Sequence, residues 1–371
     1  MNRRDFLYIA GAVPLVSATQ EIPKYHIVSK FKPSSNPGMP GRYRGQVVNV
    51  HAESSIDAAS GKVNAEVVRA MLARGMQALT GDKDDRDAWA RFITSKDVVG
   101  IKVNCSGAPN IMSSPEIVAG IVERLMAVGV PARQIYIYER FLGQMRSVSY
   151  EQYVPEGVQI TAAEQARGSI LGYDPNTYVD VDFFGEDDTR SNLVRLVAER
   201  LTKIVNVPNL KEHQASGVTG CLKNIAYGDF SNVARSHRSE KTNTYSFIGT
   251  LASVEPLRSI TVLNIMDGLR AVWHAGPFSM DPRFRFFPKR MMFGTDPVAM
   301  DRLVIDVVEE KRKAEGAPSI WDRSPERVKN VRRPDKSVNA FIREPGHVEY
   351  ASKLGLGEYD VGKIRRKDIE L

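Results

Sequence analysis

KIVNVPNLKEHQASGVTGCLKNIAYG, Lys203 to Gly228, sets the reading of the fold. An apolar run, Ile204 to Val207, is closed by Pro208; Asn209, Lys211 and His213 follow within five residues. A glycine-punctuated stretch then carries Cys221, Lys223 and Asn224. A short apolar run ended by a breaker is the pattern of a fully buried strand. Polar groups released at its carboxyl end lie where open α/β sheets bind ligands.

Working outward, strand and helix patterns alternate. Val47 to His51 reads as a strand and Val63 to Leu79 as a helix, with Val67, Met71, Leu72 and Met76 on one side and Gly81 as the stop. Val98 to Val103 is the next strand. Ser113-Ser114-Pro115-Glu116 then has helix-start chemistry: a serine to cap, a proline with no amide to leave unpaired, and a glutamate placed for a capping box. Further strands are expected at Ile135 to Tyr138, Ile260 to Ile265 and Arg290 to Phe293, and a helix from Val298 to about Lys313. Residues 145–200 are irregular, and Asp180 to Phe184 fits an edge strand or an inserted subdomain. Arg235 to Asn243 reads as a polar flap. The fold class is therefore α/β: a mainly parallel sheet with helices on both faces, plus an irregular insertion and a C-terminal extension. The expected divisions are a signal at 1–18, an extended leader at 19–45, the α/β domain at 46–313 and a basic extension at 314–371.

A parallel sheet gathers its strand ends at one edge, so six sets of groups are expected to converge there. They are His51; Lys102, Asn104 and Cys105; Glu139 and Arg140; Asn209, Lys211 and His213; Asp267; and Asp296. Lysines and amides suit a carboxylate or phosphate, while histidine and aspartate suit proton transfer or a metal. Lys102 interrupts an apolar run where a charge is costly to bury, though a strand-edge lysine that snorkels to water has the same pattern. Asp296 fits a helix N-cap better than a ligand, and Asp267 fits a turn before Gly268 as well as a site. His274, in Trp273-His274-Ala275-Gly276-Pro277, is placed to cover the strand ends. The expected catalytic residues are Lys102, His213 and Asp267, with Asp267 orienting His213 or binding a metal. Asn104, Asn209, Lys211, Lys223, Asn224 and His274 are expected to bind substrate.

Exclusions narrow the chemistry. No glycine-rich dinucleotide fingerprint or Walker loop follows a strand, no H-E-x-x-H or His/Cys spacing marks zinc, and no nucleophile elbow is present. No metal ligands are assigned and the cofactor stays open. Cys105 and Cys221 are the only cysteines, too few for a four-thiolate iron–sulfur cluster, although an oxidising compartment would let them pair. The net charge is +7, but 44 acidic residues interleave with 51 basic ones, and no nucleic-acid partner is expected.

At the N-terminus, Asn2-Arg3-Arg4-Asp5-Phe6-Leu7 precedes an apolar stretch, Tyr8 to Val16, and a small-residue site at Val16-Ser17-Ala18. Charged, apolar and cleavage regions in that order form a secretory signal. The paired arginines before Phe6-Leu7 resemble the twin-arginine export motif. That resemblance implies export of a folded, soluble protein to the periplasm or beyond, with the twin-arginine machinery as a partner.

Several stretches together resemble the domain of unknown function 362 family. They are Val99-Gly100-Ile101-Lys102-Val103-Asn104, Ser114-Pro115-Glu116-Ile117-Val118 and Asn209-Leu210-Lys211-Glu212-His213. The others are Gly217 to Asn224, Asp267-Gly268 with Gly276-Pro277, and Asp296-Pro297-Val298-Ala299-Met300-Asp301. The match runs in order over about residues 47 to 310. The resemblance implies a site shared through its Lys, Asn, His and Asp positions, without naming a reaction. Relatives fused to ferredoxin-like cysteine clusters imply a redox-protein partner, although this chain lacks those cysteines. The expectation is an exported α/β protein with a strand-end site for an acidic small molecule or a metal-bound anion. The alternative is a non-catalytic ligand-binding or cofactor-maturation protein serving an exported redox enzyme.

Overall fold

The computed structural model describes residues 22–237, 243–317, 319–321 and 345–371. The export signal and part of the expected flap, residues 238–242, lie outside the described residues. The chain enters through β1 (His26–Val28) and β2 (Gln46–His51), then α1 (Ala65–Thr80) and α2 (Asp85–Ala90). Next come β3 (Val99–Lys102), α3 (Pro115–Ala127), β4 (Ile135–Phe141), α4 (Leu142–Arg146) and β5 (Gln159–Glu164). β6 (Tyr173–Asp180), β7 (Arg190–Val194) and α5 (Arg195–Glu199) make up the irregular region. The quoted segment supplies β8 (Lys203–Asn206), β9 (Asn209–His213), β10 (Gly217–Val218) and α6 (Gly220–Gly228). α7 (Thr244–Ala252), α8 (Leu257–Ile260), β11 (Thr261–Val272), β12 (Arg285–Phe286), β13 (Arg290–Gly294) and α9 (Pro297–Ala314) follow. α10 (Gly346–Lys353) and β14 (Arg365–Glu370) close the described chain.

The large sheet has the order β14-β2-β13-β11-β8-β3-β4-β5. All neighbours along it are parallel except those of β13, which runs against both β2 and β11. Alternating side chains build a core on each face. Val48, Val50, Val99, Ile101 and Val205 pack under α1, α2 and α3. Val47 and Ile204 face the other way, toward α6, α7 and α9. The mainly parallel sheet covered on both faces is thus present.

Three local expectations are corrected. The expected strand 260–265 is β11, which continues to Val272, so Asp267 lies in mid-strand. The quoted strand does end before Pro208, as β8, but the polar residues after it are not a loop: β8 pairs with the first half of β11 and β9 with the second, so Asn209 to His213 is itself strand. Ser114 starts α3 without a side-chain cap; Asp267 Oδ2 instead accepts the Ser114 amide at 2.7 Å, and no capping box forms.

The extensions are structured in part. β1, β6 and β7 form a separate three-stranded antiparallel sheet. β14, from the basic C-terminal stretch, adds in parallel to β2 at the edge of the large sheet. Among the described residues no helix is long and apolar enough to cross a membrane.

Candidate functional site

β3 and β8 are neighbours, yet the chain leaves β3 toward β4 on one side and leaves β8 toward β11 on the other. That divergence is a topological switch point, where the carboxyl ends of parallel strands leave a crevice. A cleft of about 740 Å³ opens there. Asn104 and Ser106 line it after β3, Glu139 and Arg140 at the end of β4, and Glu164 at the end of β5. His213 closes it from β9, Lys223 and Tyr227 from α6, and Arg190 from the small sheet.

A line of amides fixes this floor. Asn104 Nδ2 donates to Asn224 Oδ1 at 2.9 Å, and Asn224 Nδ2 donates to Asn206 Oδ1 at 2.7 Å. Asn206 Nδ2 in turn donates to Asn264 Oδ1 at 2.8 Å. Each amide nitrogen donates to the oxygen of the next, so the chain after β3, β8 and β11 are tied to α6 by satisfied side-chain amides.

The three lysines meet different fates. Lys102 is fully buried and donates to Glu139 Oε1 at 3.0 Å and to Val103 O at 2.7 Å. It lies behind the cleft wall, packed on Gly228: a Cβ there would sit 2.2 Å from Lys102 Cε and displace the end of the lysine. Lys211 Nζ donates to Asn104 Oδ1 at 2.8 Å, Ser106 Oγ at 2.9 Å and Ser106 O at 3.0 Å. Those bonds use all three ammonium protons, while burial draws its pKa down to about 7. Lys223 lines the cleft, 9% exposed, with Nζ 4.4 Å from the centre of the Tyr227 ring. Among the described residues it has neither a hydrogen bond nor a carboxylate partner. Burial first, then the charges of Lys211 and Arg140, lower its pKa to about 7.

Two imidazoles lie together, His213 and His237, with ring centres 5.3 Å apart. His213 Nδ1 accepts the Ala215 amide at 3.0 Å, so the neutral ring carries its proton on Nε2. His237 Nδ1 faces Ala234 O at 3.3 Å, which assigns the proton to Nδ1 and leaves Nε2 as a buried acceptor without a partner among the described residues. Burial and the Lys223 charge hold His213 well below its ordinary value and His237 at about 3. Both are neutral at pH 7, and they offer a donor and an acceptor side by side.

The carboxylates of the wall are largely engaged. Glu139 holds Lys102, and Glu164 Oε1 accepts Arg140 Nε at 2.9 Å and the Tyr173 hydroxyl at 2.7 Å. Arg190 stands 3.9 Å from Asp180 and is more than half exposed.

Several expected site residues lie elsewhere. Asp267 is completely buried and outside the cleft lining; its oxygens accept the Ser114 and Leu269 amides, so it anchors α3 and does not orient His213. Asn209 sits beside Asp267 in the β9–β11 register, also off the cleft. His274 is fully buried against Phe284, 4.6 Å between ring centres, and Arg312 Nη1 lies 3.2 Å from its Nδ1; its neighbours Gly276 and Pro277 reach the cleft while it does not. Asp296 ends the antiparallel β13 at the opposite edge, where it caps α9 through the Ala299 amide at 2.8 Å. His51 pairs with Glu370 at 2.7 Å near the sheet edge. The six strand ends do not all converge, because β13 is reversed and β11 runs on past Asp267.

The glycine-rich approach to α6 leaves no open anion nest. Asp301 Oδ1 and Oδ2 accept the Cys221 and Leu222 amides at 2.5 and 2.9 Å. Cys105 and Cys221 are both buried free thiols, and burial raises Cys105 to about 12. Among the described residues no three His, Cys, Asp or Glu side chains are grouped to hold a metal ion.

Sequence reasoning missed Glu164, Arg190, Tyr227 and His237. Arg190 lies in the irregular region and His237 in the stretch read as a flap, where Arg235 is in fact buried and donates to Val181 O at 2.5 Å. Glu139 and Arg140 carried the available signal, a charged pair closing an apolar strand.

The family model described as Domain of unknown function (DUF362) matches residues 99–306. No curated protein matches the chain. A crystal structure of a Thermotoga maritima protein aligns at 12% identity and a TM-score of 0.36, covering 68% of this chain and 59% of that one. The chain thus spans less than two thirds of that structure.

Proposed function

The chain belongs to the DUF362 family, and we propose that its switch-point cleft binds an acidic small molecule, or an anion carried by a metal, and exchanges protons with it. The observation that carries this reading is Lys223 Nζ, enclosed without a carboxylate partner among the described residues, beside a donor–acceptor pair of neutral imidazoles. A buried cation without a counter-ion favours an anionic ligand. Arg140 and Arg190 add permanent positive charge at the rim, in the planar form that suits carboxylate and phosphate. Lys102 and Lys211 hold Glu139, Asn104 and Ser106 in place, while His213 Nε2–H donates a hydrogen bond to the ligand and His237 Nε2 accepts one.

Thermal melting against a panel of phosphate, sulfate and small carboxylates tests the reading. A saturable rise in melting temperature that Lys223→Ala abolishes is the expected result; no response to any anion would end it.

The proposal includes export. Arg3 and Arg4 before Phe6-Leu7 support a twin-arginine leader, with that machinery as a transient partner and the periplasm as destination. Cell fractionation of the native chain and an Arg3→Lys/Arg4→Lys variant checks it, with retention of the variant in the cytoplasm expected.

One observation favours the second reading, a binding or maturation protein that hands its ligand to a redox partner. Ile170 and Phe278, 79% and 55% exposed, face the cleft, and Leu171 and Met280 stand exposed beside them. Such an apolar rim fits a docking partner. Anion binding without turnover across a substrate screen would favour this reading over an enzyme.

A further inference from the structure

We propose that Lys223 is the nucleophile of the cleft, attacking the carbonyl carbon of an acidic aldehyde or ketone such as a 2-oxo acid. The inference rests on the anion-binding reading above and names the substrate class of that same site. Lys102 and Lys211 are unavailable for this role, one held by Glu139 and the other donating to three oxygens. Among the described residues Lys223 Nζ alone of the three faces the cleft without an acceptor, over the Tyr227 ring.

An enclosed amine with no counter-ion sheds its proton readily, and the neutral form has the lone pair that attack requires. Burial and neighbouring positive charge do bring Lys223 to about 7, so a large share is neutral at physiological pH. The substrate's acid group does not need Lys223 as its counter-ion, because Arg140 and Arg190 stand on the same cleft and stay charged.

The step balances with groups on hand. Nζ adds to the carbonyl carbon as the C–O π bond opens; one of the two amine protons passes by way of His237 Nε2 to the oxygen, which also accepts a hydrogen bond from His213 Nε2–H. The nitrogen lone pair of the carbinolamine then expels the hydroxyl, which leaves as water with the second amine proton, relayed by the same His237 Nε2, and a C=N bond closes. One amine and one carbonyl give one imine and one water, without an oxidant or reductant.

Reductive trapping tests this on the full chain. Glyoxylate and sodium cyanoborohydride at pH 7 convert an imine to a stable carboxymethyl amine, located by peptide mass mapping. Because an amine titrating near 7 is about half neutral at that pH and an ordinary lysine near 10.4 is neutral in roughly one part in 2,500, Lys223 should be labelled about a hundredfold faster than exposed lysines after allowing for its weaker basicity. Lys223→Arg, which keeps the charge, should melt like the native protein and lose that fast label. Sulfate should slow labelling at Lys223 by occupying the cleft. Labelling spread over surface lysines, with Lys223 no faster than they are, overturns the nucleophile. If sulfate still raises the melting temperature in that case, and Lys223→Ala abolishes the rise, the anion site stands without it. If sulfate does nothing either, both fall.

Discussion

Asp301 holds the Cys221 amide at 2.5 Å with one oxygen and the Leu222 amide with the other, across 80 residues of sequence. The first turn of α6 is therefore satisfied from within the protein, by a carboxylate from α9. Gly220, at φ +60°, is required there, since a Cβ would sit 2.2 Å from Asp301 Oδ1. The helix that carries Lys223 and Asn224 is thus set by packing before any ligand arrives.

Replacing that carboxylate should loosen the helix. Asp301→Ala leaves two buried amides unpaired and should cost about 2–3 kcal/mol of stability. Urea denaturation reads the loss directly, and a change below about 0.5 kcal/mol would show that the amides find other partners.

The amide line across the floor makes a second prediction. Asn224→Ala strands Asn104 Nδ2 and Asn206 Oδ1, each buried, and should cost about 2–4 kcal/mol. Asn224→Asp should cost less in packing but leave Asn206 Oδ1 facing a carboxylate. A chemical-denaturation series that finds either variant as stable as the native chain contradicts the geometry.

Lys102 and Glu139 form a buried ion pair, with side chains 0% and 7% exposed. Lys102→Met alone leaves Glu139 uncompensated and should destabilise by about 3–5 kcal/mol, whereas Lys102→Met/Glu139→Gln should recover a substantial part. Were the double variant no better than the single one, the coupling between the two groups would be refuted. The comparison also separates a structural Lys102 from a catalytic one, because a catalytic lysine would not regain activity in the double variant.

Stability should depend on pH through Asp229. Burial lifts its carboxyl to about 7 despite the nearby Lys102 and Tyr138, while Glu139 adds to the rise. The folded form then keeps a proton that the unfolded chain releases from about pH 4 upward, so this contribution is full below pH 4 and is lost as pH rises through 7. Lys211 and Lys223, both depressed, act in the opposite sense: stability from them is lost as pH falls from about 10 toward 7. Asp229→Asn should flatten the stability profile between pH 4 and 7 and leave the slope above 7 unchanged. An unaltered slope in the acidic window would show that Asp229 ionises normally.

Much of this architecture is legible in the sequence, for identifiable reasons. The strands at β2, β3, β4 and β8 announce themselves because both faces of the sheet are covered and their residues run apolar without alternation. Asn104, His213, Lys223 and Asn224 reach the cleft because the parallel strands they follow all end at one edge. Strand direction is not written locally, and so Asp296 was placed with the others although β13 carries it to the far edge. Asp267 failed for a related reason: Gly268 resembles a turn, but β11 runs through it with a second partner, β9, supplied by a distant stretch of chain. β14 shows the opposite difficulty, since an edge strand of Arg, Lys, Asp and Glu has little apolar signal and is held by pairing with β2. Arg190 and His237 reach the cleft only through tertiary folding of regions without clear periodicity.

The most direct test of the cleft is its proton balance on binding an anion. Sulfate does not titrate near neutrality, so calorimetric titration at pH 7 in buffers of different ionisation heat reports protons taken up by the protein alone. With Lys223 near 7 and about half neutral, the native chain should bind sulfate with uptake of up to about half a proton, and Lys223→Arg should bind with essentially none. Uptake that persists unchanged in Lys223→Arg, or no sulfate binding at all, would contradict the assignment of Lys223 to the site.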